Sequence, residues 1–164
     1  MRAVILALLV LAVAPPVAAA DLRVSSTVNF TRPDGTAVQF PLNLRVWCGR
    51  WDSDAPTRAL HVRVGAAGGP LWHLSAVVAD VRRRPVVRFP HSFVFDDPSR
   101  AQLFAAEGTN ELSSSEEEAS GRITFTRVRC GRRLAVRFRI RAVLGSEVSG
   151  DPLTVRGSFR ASKE

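Results

Sequence analysis

Alternation with a period of two runs through most of the chain. In LRVSSTVNF, Leu22, Val24, Val28 and Phe30 share one parity, the pattern of a half-buried strand. RPDG then supplies a turn, Pro33 presetting one backbone angle and Gly35 relieving the exit. In AVQFPLNLRVWC, the positions Val38, Phe40, Leu42, Leu44, Val46 and Cys48 all fall on one face. Pro41 cannot donate to a ladder, so this segment is expected to be an edge strand or to carry a bulge. GRWDSDAP reads as loop, and ALHVRV with LWHLSAVV reads as a hairpin across GAAGGP. After DVRRRP, a basic turn, come the short strand pieces VVRF and SFVF.

Two readings compete in DDPSRAQLFAAEG. Asp97 as N-cap, Pro98 at the first position and Gly108 as stop would suit a short helix. A strand over Gln102 to Ala105 is the preferred reading. GTNELSSSEEEASG is expected to be a polar, acidic loop, and the chain closes with three strands, RITFTRVRC, LAVRFRIRAVL and LTVRGSF. The first of these poses a problem of register. Ile123 and Phe125 are on odd parity, Val128 and Cys130 on even. Both pairs can face a core only if one extra residue is inserted, which predicts a β-bulge near Thr126–Arg127.

Seven to nine short strands with almost no helix predict an all-β chain, an antiparallel β-sandwich. A closed eight-stranded β-barrel is the alternative, since it needs the same alternation. One disulfide is expected, between Cys48 and Cys130, the two cysteines of the chain. Neither has a second Cys or His at ligand spacing, which argues against a metal site there.

The expected disulfide agrees with the first residues. Arg2 gives a short positive region, Ala3 to Ala14 an apolar stretch, and Ala18-Ala19-Ala20 a small-residue cleavage site. Residues 1–20 therefore read as a signal peptide and 21–164 as a single domain in the periplasm or outside the cell. Asp21, not Cys, follows the cut, which argues against a lipid anchor. Pro15-Pro16 interrupts the stretch, and no later apolar run has the length of a transmembrane helix.

Charge sharpens the picture. Without Arg2, the remaining chain has 22 basic and 15 acidic residues, and Lys163 is its only lysine. From Asp96 to Ser120 there are seven acids and one Arg, whereas from Gly121 onward there are eleven bases and three acids. The asymmetry concentrates in RLAVRFRIRAVL, where Leu134, Val136, Phe138, Ile140, Ala142 and Leu144 alternate with arginines. If residues 133–144 pair with 153–162, Arg137, Arg139 and Arg141 share a face with Arg156 and Arg160. Like charges side by side on a sheet are destabilising. Their partners could be water and salt, the protein's own acidic loop, or an external polyanion. The preferred reading is a solvated face with local pairing. An anionic polysaccharide or lipid headgroup is the functional alternative. Nucleic acid is disfavoured, because no aromatic residues interleave with these arginines.

Other chemistry is sparse. His61 and His73 lie on the parity opposite their strands' apolar residues, and one hairpin register sets them directly across from each other. With Asp52 or Asp54 they could hold a metal, although His91 has no place in the constellation, and two solvated histidines are the preferred reading. The sequence has no G-x-S-x-G elbow, no H-E-x-x-H and no reactive thiol once the disulfide forms. Its carboxylate clusters, Asp96-Asp97 and Glu116 to Glu118, lack apolar surroundings that would raise a pKa. Trp47 and Trp51 in WCGRW make an aromatic cluster, with Trp47 on the outward parity. That cluster could contact sugar or peptide, or could be covered by the following loop.

The closing segment, GRITFTRVRCGRRLAVRFRIRAVLGSEVSGDPLTVRGSF, resembles the last meander of small exported bacterial β-sandwich proteins of unknown function. The resemblance rests on Gly121 leading its strand and on the final Gly157-Ser158-Phe159, and covers about forty residues. It implies a fold and an exported setting, with no catalytic residues to transfer. Arg stands here where such proteins carry Ser, Thr and Gly outward. The expectation is thus an exported, non-catalytic binding or cell-envelope protein without a cofactor, its partner undefined by the sequence. A small-molecule carrier with an open barrel interior is the alternative.

Overall fold

A computed structural model describes residues 22–51, 57–65, 69–90, 101–108, 110–146 and 150–163. The signal-peptide stretch, the SFVF piece, Asp52, Asp54, His91, Asp96 and Asp97 lie outside the described residues.

Alternation builds the two halves of one curled antiparallel sheet. The C-terminal meander of β10 (Ser120–Arg129), β11 (Ala135–Ser146) and β12 (Leu153–Ser162) is the backbone of the first half. β7 (Val86–Phe89) lies outside β10. Beyond β12 come β1 (Arg23–Ser26) and β2 (Asn29–Thr31), then β3 (Ala37–Val38). The second half runs through β4 (Leu44–Arg50), β5 (Arg58–Gly65), β6 (Leu71–Val77), β8 (Ala101–Glu107) and β9 (Asn110–Ser113). β11 outruns its partners, and its last residues, Gly145 and Ser146, pair with Ser113 and Leu112 of β9. That hook makes the two halves continuous.

The inner faces bury most of the residues that alternation assigns to the core, although Val24 on the edge strand β1 is 40% exposed. Phe125, Phe138 and Phe159 stand side by side across three strands, with ring centroids 5.9 and 5.1 Å apart. Trp72 reaches over from β6 and meets Phe159 edge-on at 6.3 Å and Phe30 at 5.8 Å. Leu60, Val62, Leu74 and Leu103 complete this packing. The disulfide ties the free edge strand β4 to the residue just past β10, Cys48 to Cys130, with Cα atoms 5.8 Å apart.

The expected bulge is present. Phe125 faces Phe138, the next paired residue is Arg127 against Arg137, and Thr126 is the extra one. The insertion turns Val128 and Cys130 inward, where Cys130 can reach Cys48, and turns Arg127 outward. Gln102 to Ala105 is strand, as preferred.

Four expectations are corrected. AVQFPLNLRVWC is not one strand: at Pro41 the chain leaves β3 in one half and enters β4 in the other, so parity does not carry across. Leu42, expected inside, is 98% exposed. DVRRRP is not simply a turn: its first four residues, Asp80 to Arg83, belong to α1 (Val78–Arg83), whose Val78 and Val81 are buried one helical turn apart. Asp80 in its first turn and Arg82 and Arg83 in its last suit the helix dipole. The acidic loop is shorter than expected, because β9 forms within it and buries Leu112. Ser114 Oγ accepts the backbone N–H of Leu103 at 2.9 Å, which anchors the exit from β9. Finally, twelve strands among the described residues exceed the expected nine. The first apolar run contributes two of them, β1 and β2, separated at Thr27–Val28. There the Thr27 carbonyl crosses so close to Gly157 that a Cβ would sit 2.1 Å from its oxygen, and Gly157 has φ +145°. Only glycine fits that crossing.

Candidate functional site: the arginine face and the histidine pair

The outward face of β7, β10, β11 and β12 is a grid of guanidinium groups. Arg88, Arg122, Arg141 and Arg156 form one cross-strand row, each paired directly with the next. Arg127, Arg137 and Arg160 form a second row, and Arg139 stands between the two, flanked by Thr124 and Ser158. Neighbours in a row are about 5 Å apart, and residues two apart on a strand about 7 Å. The four-arginine row therefore spans roughly 15 Å.

All eight side chains are exposed. Among the described residues, the ion pair of the protein is Arg32 with Glu107, and it includes none of these eight arginines. No described carboxylate lies within 4.0 Å of the eight arginines. Local pairing with Glu116 to Glu118 is thus not seen: Glu116 packs by Gly145, and Glu117 and Glu118 are exposed. Nor is any aromatic ring present at the described outward positions of these four strands.

At the end of the face where β10 turns into β11, the surface becomes concave. A groove of about 430 Å³ is lined by Arg127, Arg129, Arg133, Arg137, Arg160 and Lys163, with Leu134, Ala135 and Val136 among its other walls. Its described lining holds six cations and no carboxylate.

The five arginines expected to share a face, Arg137, Arg139, Arg141, Arg156 and Arg160, do so. Arg88, Arg122, Arg127, Arg129, Arg133 and Lys163 were not in that set. The bulge was the available signal for two of them: once Val128 and Cys130 point inward, Arg127 and Arg129 must point outward. Arg122 and Arg88 follow from simple alternation beside Ile123 and Val87.

A second cluster lies on the outward face of the other half. The hairpin takes the register that was not the one setting His61 against His73: His61 faces Ser75, and Arg63 faces His73. The imidazoles meet diagonally instead, with His61 Nδ1 3.3 Å from His73 Nε2. Ser75 Oγ lies 2.9 Å from the former and 3.3 Å from the latter. His61 Nε2 donates to the Arg50 carbonyl at 2.9 Å.

The expected solvation of the pair is corrected too, since His61 is only 5% exposed. Trp47, directly across from His61 on β4, stacks over both rings with centroids 5.0 and 5.8 Å away. Trp47 is 38% exposed, so the outward assignment holds, but its partners are the histidines. Trp51 lies half-buried beyond the end of β4, and the two tryptophans make no ring contact with each other. Burial, then His61, then Arg63 hold the His73 pKa down to about 4. Its imidazole is neutral at physiological pH.

Among the described residues no helix is long and apolar enough to cross a membrane. No family model, no curated protein and no solved structure matches the chain.

Proposed function

We propose that the protein is an exported, non-catalytic binding protein that holds an acidic polysaccharide against its arginine face. The observation that carries this reading is the groove whose described lining holds six cations and no carboxylate, and which shares Arg127, Arg137 and Arg160 with the second arginine row. Placing guanidinium groups side by side is mildly destabilising, a cost that an acidic ligand lying over them would offset. The planar forks of Arg suit carboxylate and sulfate groups, which they can bind through paired hydrogen bonds. An open, two-dimensional grid suits an extended chain carrying repeated charges better than a single small acid, which needs enclosure to be held. The described outward positions of the face carry no aromatic ring and so offer no stacking platform of the kind that single-stranded nucleic acid uses.

Export is part of the proposal. It is supported by the leader-like residues 1–20 and is compatible with the disulfide. The carrier alternative finds less support, because Phe138, Leu74 and Leu103 are fully buried between the inner faces and the apolar cleft beside Phe30 and Phe159 measures only about 270 Å³.

Titration with a heparin-type polysaccharide and with neutral dextran tests the reading. Binding to the acidic polymer should fall linearly on a log–log plot as salt rises, because counterions are released on contact. Dextran should not bind. Equal binding of both polymers, or of neither at physiological salt, would overturn it.

A further inference from the structure

The histidine pair on the other half of the sheet carries chemistry that the arginine face does not use. Its hydrogen bonding fixes a tautomer. A backbone carbonyl can only accept, so His61 Nε2 carries a proton and donates it to the Arg50 oxygen at 2.9 Å. Nδ1 is thus the ring nitrogen available as a ligand, and it lies 3.3 Å from His73 Nε2 and 2.9 Å from Ser75 Oγ. This is the arrangement of a metal-binding histidine, whose other ring nitrogen is commonly held by a carbonyl or carboxylate.

The spacing agrees. Two imidazole nitrogens bound to one ion at about 2.05 Å are separated by roughly 2.9 Å at the 90° angle of tetragonal Cu(II) and by roughly 3.3 Å at a tetrahedral angle. His61 Nδ1 and His73 Nε2 are 3.3 Å apart, and Ser75 Oγ closes the triangle at 2.9 and 3.3 Å.

We propose that His61, His73 and Ser75 bind a single divalent first-row transition-metal ion beneath Trp47. Two imidazoles select the Zn(II), Ni(II) and Cu(II) group, and the Irving–Williams order puts Cu(II) first. An exogenous ligand completes the coordination. The charged groups facing the site from the neighbouring strands are Arg63, directly across from His73, and Arg45, directly across from Arg63. Both oppose a cation, which limits affinity to the micromolar range or weaker and favours an anionic exogenous ligand. On the remaining sides the pair meets Trp47 of β4, and Gln102 and Phe104 of β8.

Trp47 stacks on both rings and so reports on the site. The experiment is titration of the chelator-stripped, disulfide-intact protein with Cu(II), followed by tryptophan fluorescence and by calorimetry. Saturable quenching with one ion per chain is expected. His73→Asn should weaken binding at least tenfold. Trp47→Phe should remove most of the quenching and keep the calorimetric binding. Arg63→Gln should strengthen binding severalfold, a gain that loss of folding cannot imitate. Copper binding unchanged in both His73→Asn and Arg63→Gln, or no saturable binding to the wild type, would overturn the proposal.

Discussion

Arg122 and Arg141 stand directly opposite each other on adjacent antiparallel strands, with no described carboxylate within 4.0 Å of either. The same holds for Arg141 and Arg156 on the other side. Each like-charged pair of this kind costs a few tenths of a kcal/mol, about 1 kcal/mol at most. A fold that stacks several such pairs on one face is less stable than it would be with neutral residues there. Replacing Arg137, Arg139, Arg141, Arg156 and Arg160 by Gln should therefore leave the melting temperature unchanged or raise it slightly. A clear fall in melting temperature would mean that the guanidinium groups stabilise the sheet in some way not visible in their contacts.

The parity of β11 makes a sharper prediction. Phe138 is 1% exposed between Phe125 and Phe159, whereas its neighbour Arg139 points outward. Phe138→Asp should lose more than about 4 kcal/mol, enough to prevent folding, because it removes a buried ring and leaves a charge in its place. Arg139→Asp should stay within about 0.5 kcal/mol of the parent. Chemical denaturation of the two variants checks this. Similar behaviour of the two would invalidate the inside–outside assignment of the strand.

The inner face and the disulfide were legible because strict alternation makes parity a strong signal, and two cysteines allow one pairing. Even the bulge at Thr126 could be read, since Phe125 and Cys130 cannot otherwise both face inward. Its consequence for Arg127 and Arg129 was equally implied by the same count. What escaped were the places where the chain stops alternating. Pro41 removes a ladder donor and sends the chain between halves, which stranded Leu42 in solvent. The helix at Val78–Arg83 rests on two valines one turn apart, too few to stand out beside a strand. The histidine register was ambiguous for another reason: shifting the pairing by two residues keeps every side chain on its own face, and only the loop between the strands decides.

The disulfide closes a separation of 82 residues between β4 and the end of β10. By the chain-entropy argument such a link stabilises the fold by about 4–5 kcal/mol. Cys48→Ala should lower the melting temperature by roughly ten degrees or more. Reduction of the wild type should add two hydrogen atoms to its mass. Two alkylatable thiols in the untreated protein would contradict the bond.

Stability should also depend on pH through His73. Its pKa is about 4 in the folded protein, below the ordinary 6.5. Between those values the unfolded chain binds the proton more readily, so protonation favours unfolding as pH falls from about 6.5 to 4. The partly solvated ring limits the loss to the order of 1–2 kcal/mol. Melting curves in the presence of chelator, for the wild type and His73→Asn, should differ most in that window. The variant should show the shallower pH slope. Identical slopes would remove His73 from the account.

The most direct test of the central claim compares two sets of neutralised arginines. One variant carries Gln at Arg137, Arg139, Arg141, Arg156 and Arg160. The other carries Gln at Arg45, Arg58, Arg82, Arg83 and Arg84, which are exposed and lie elsewhere. Both lose the same charge. The measurement is the dissociation constant for a heparin-type polysaccharide at physiological salt, with its salt dependence. The account predicts that the first variant loses at least tenfold in affinity and has a markedly flatter salt slope, while the second loses only a few-fold. Equal losses in the two variants would mean that net charge alone binds the polymer and that the arginine face is no more than the wet side of a sheet.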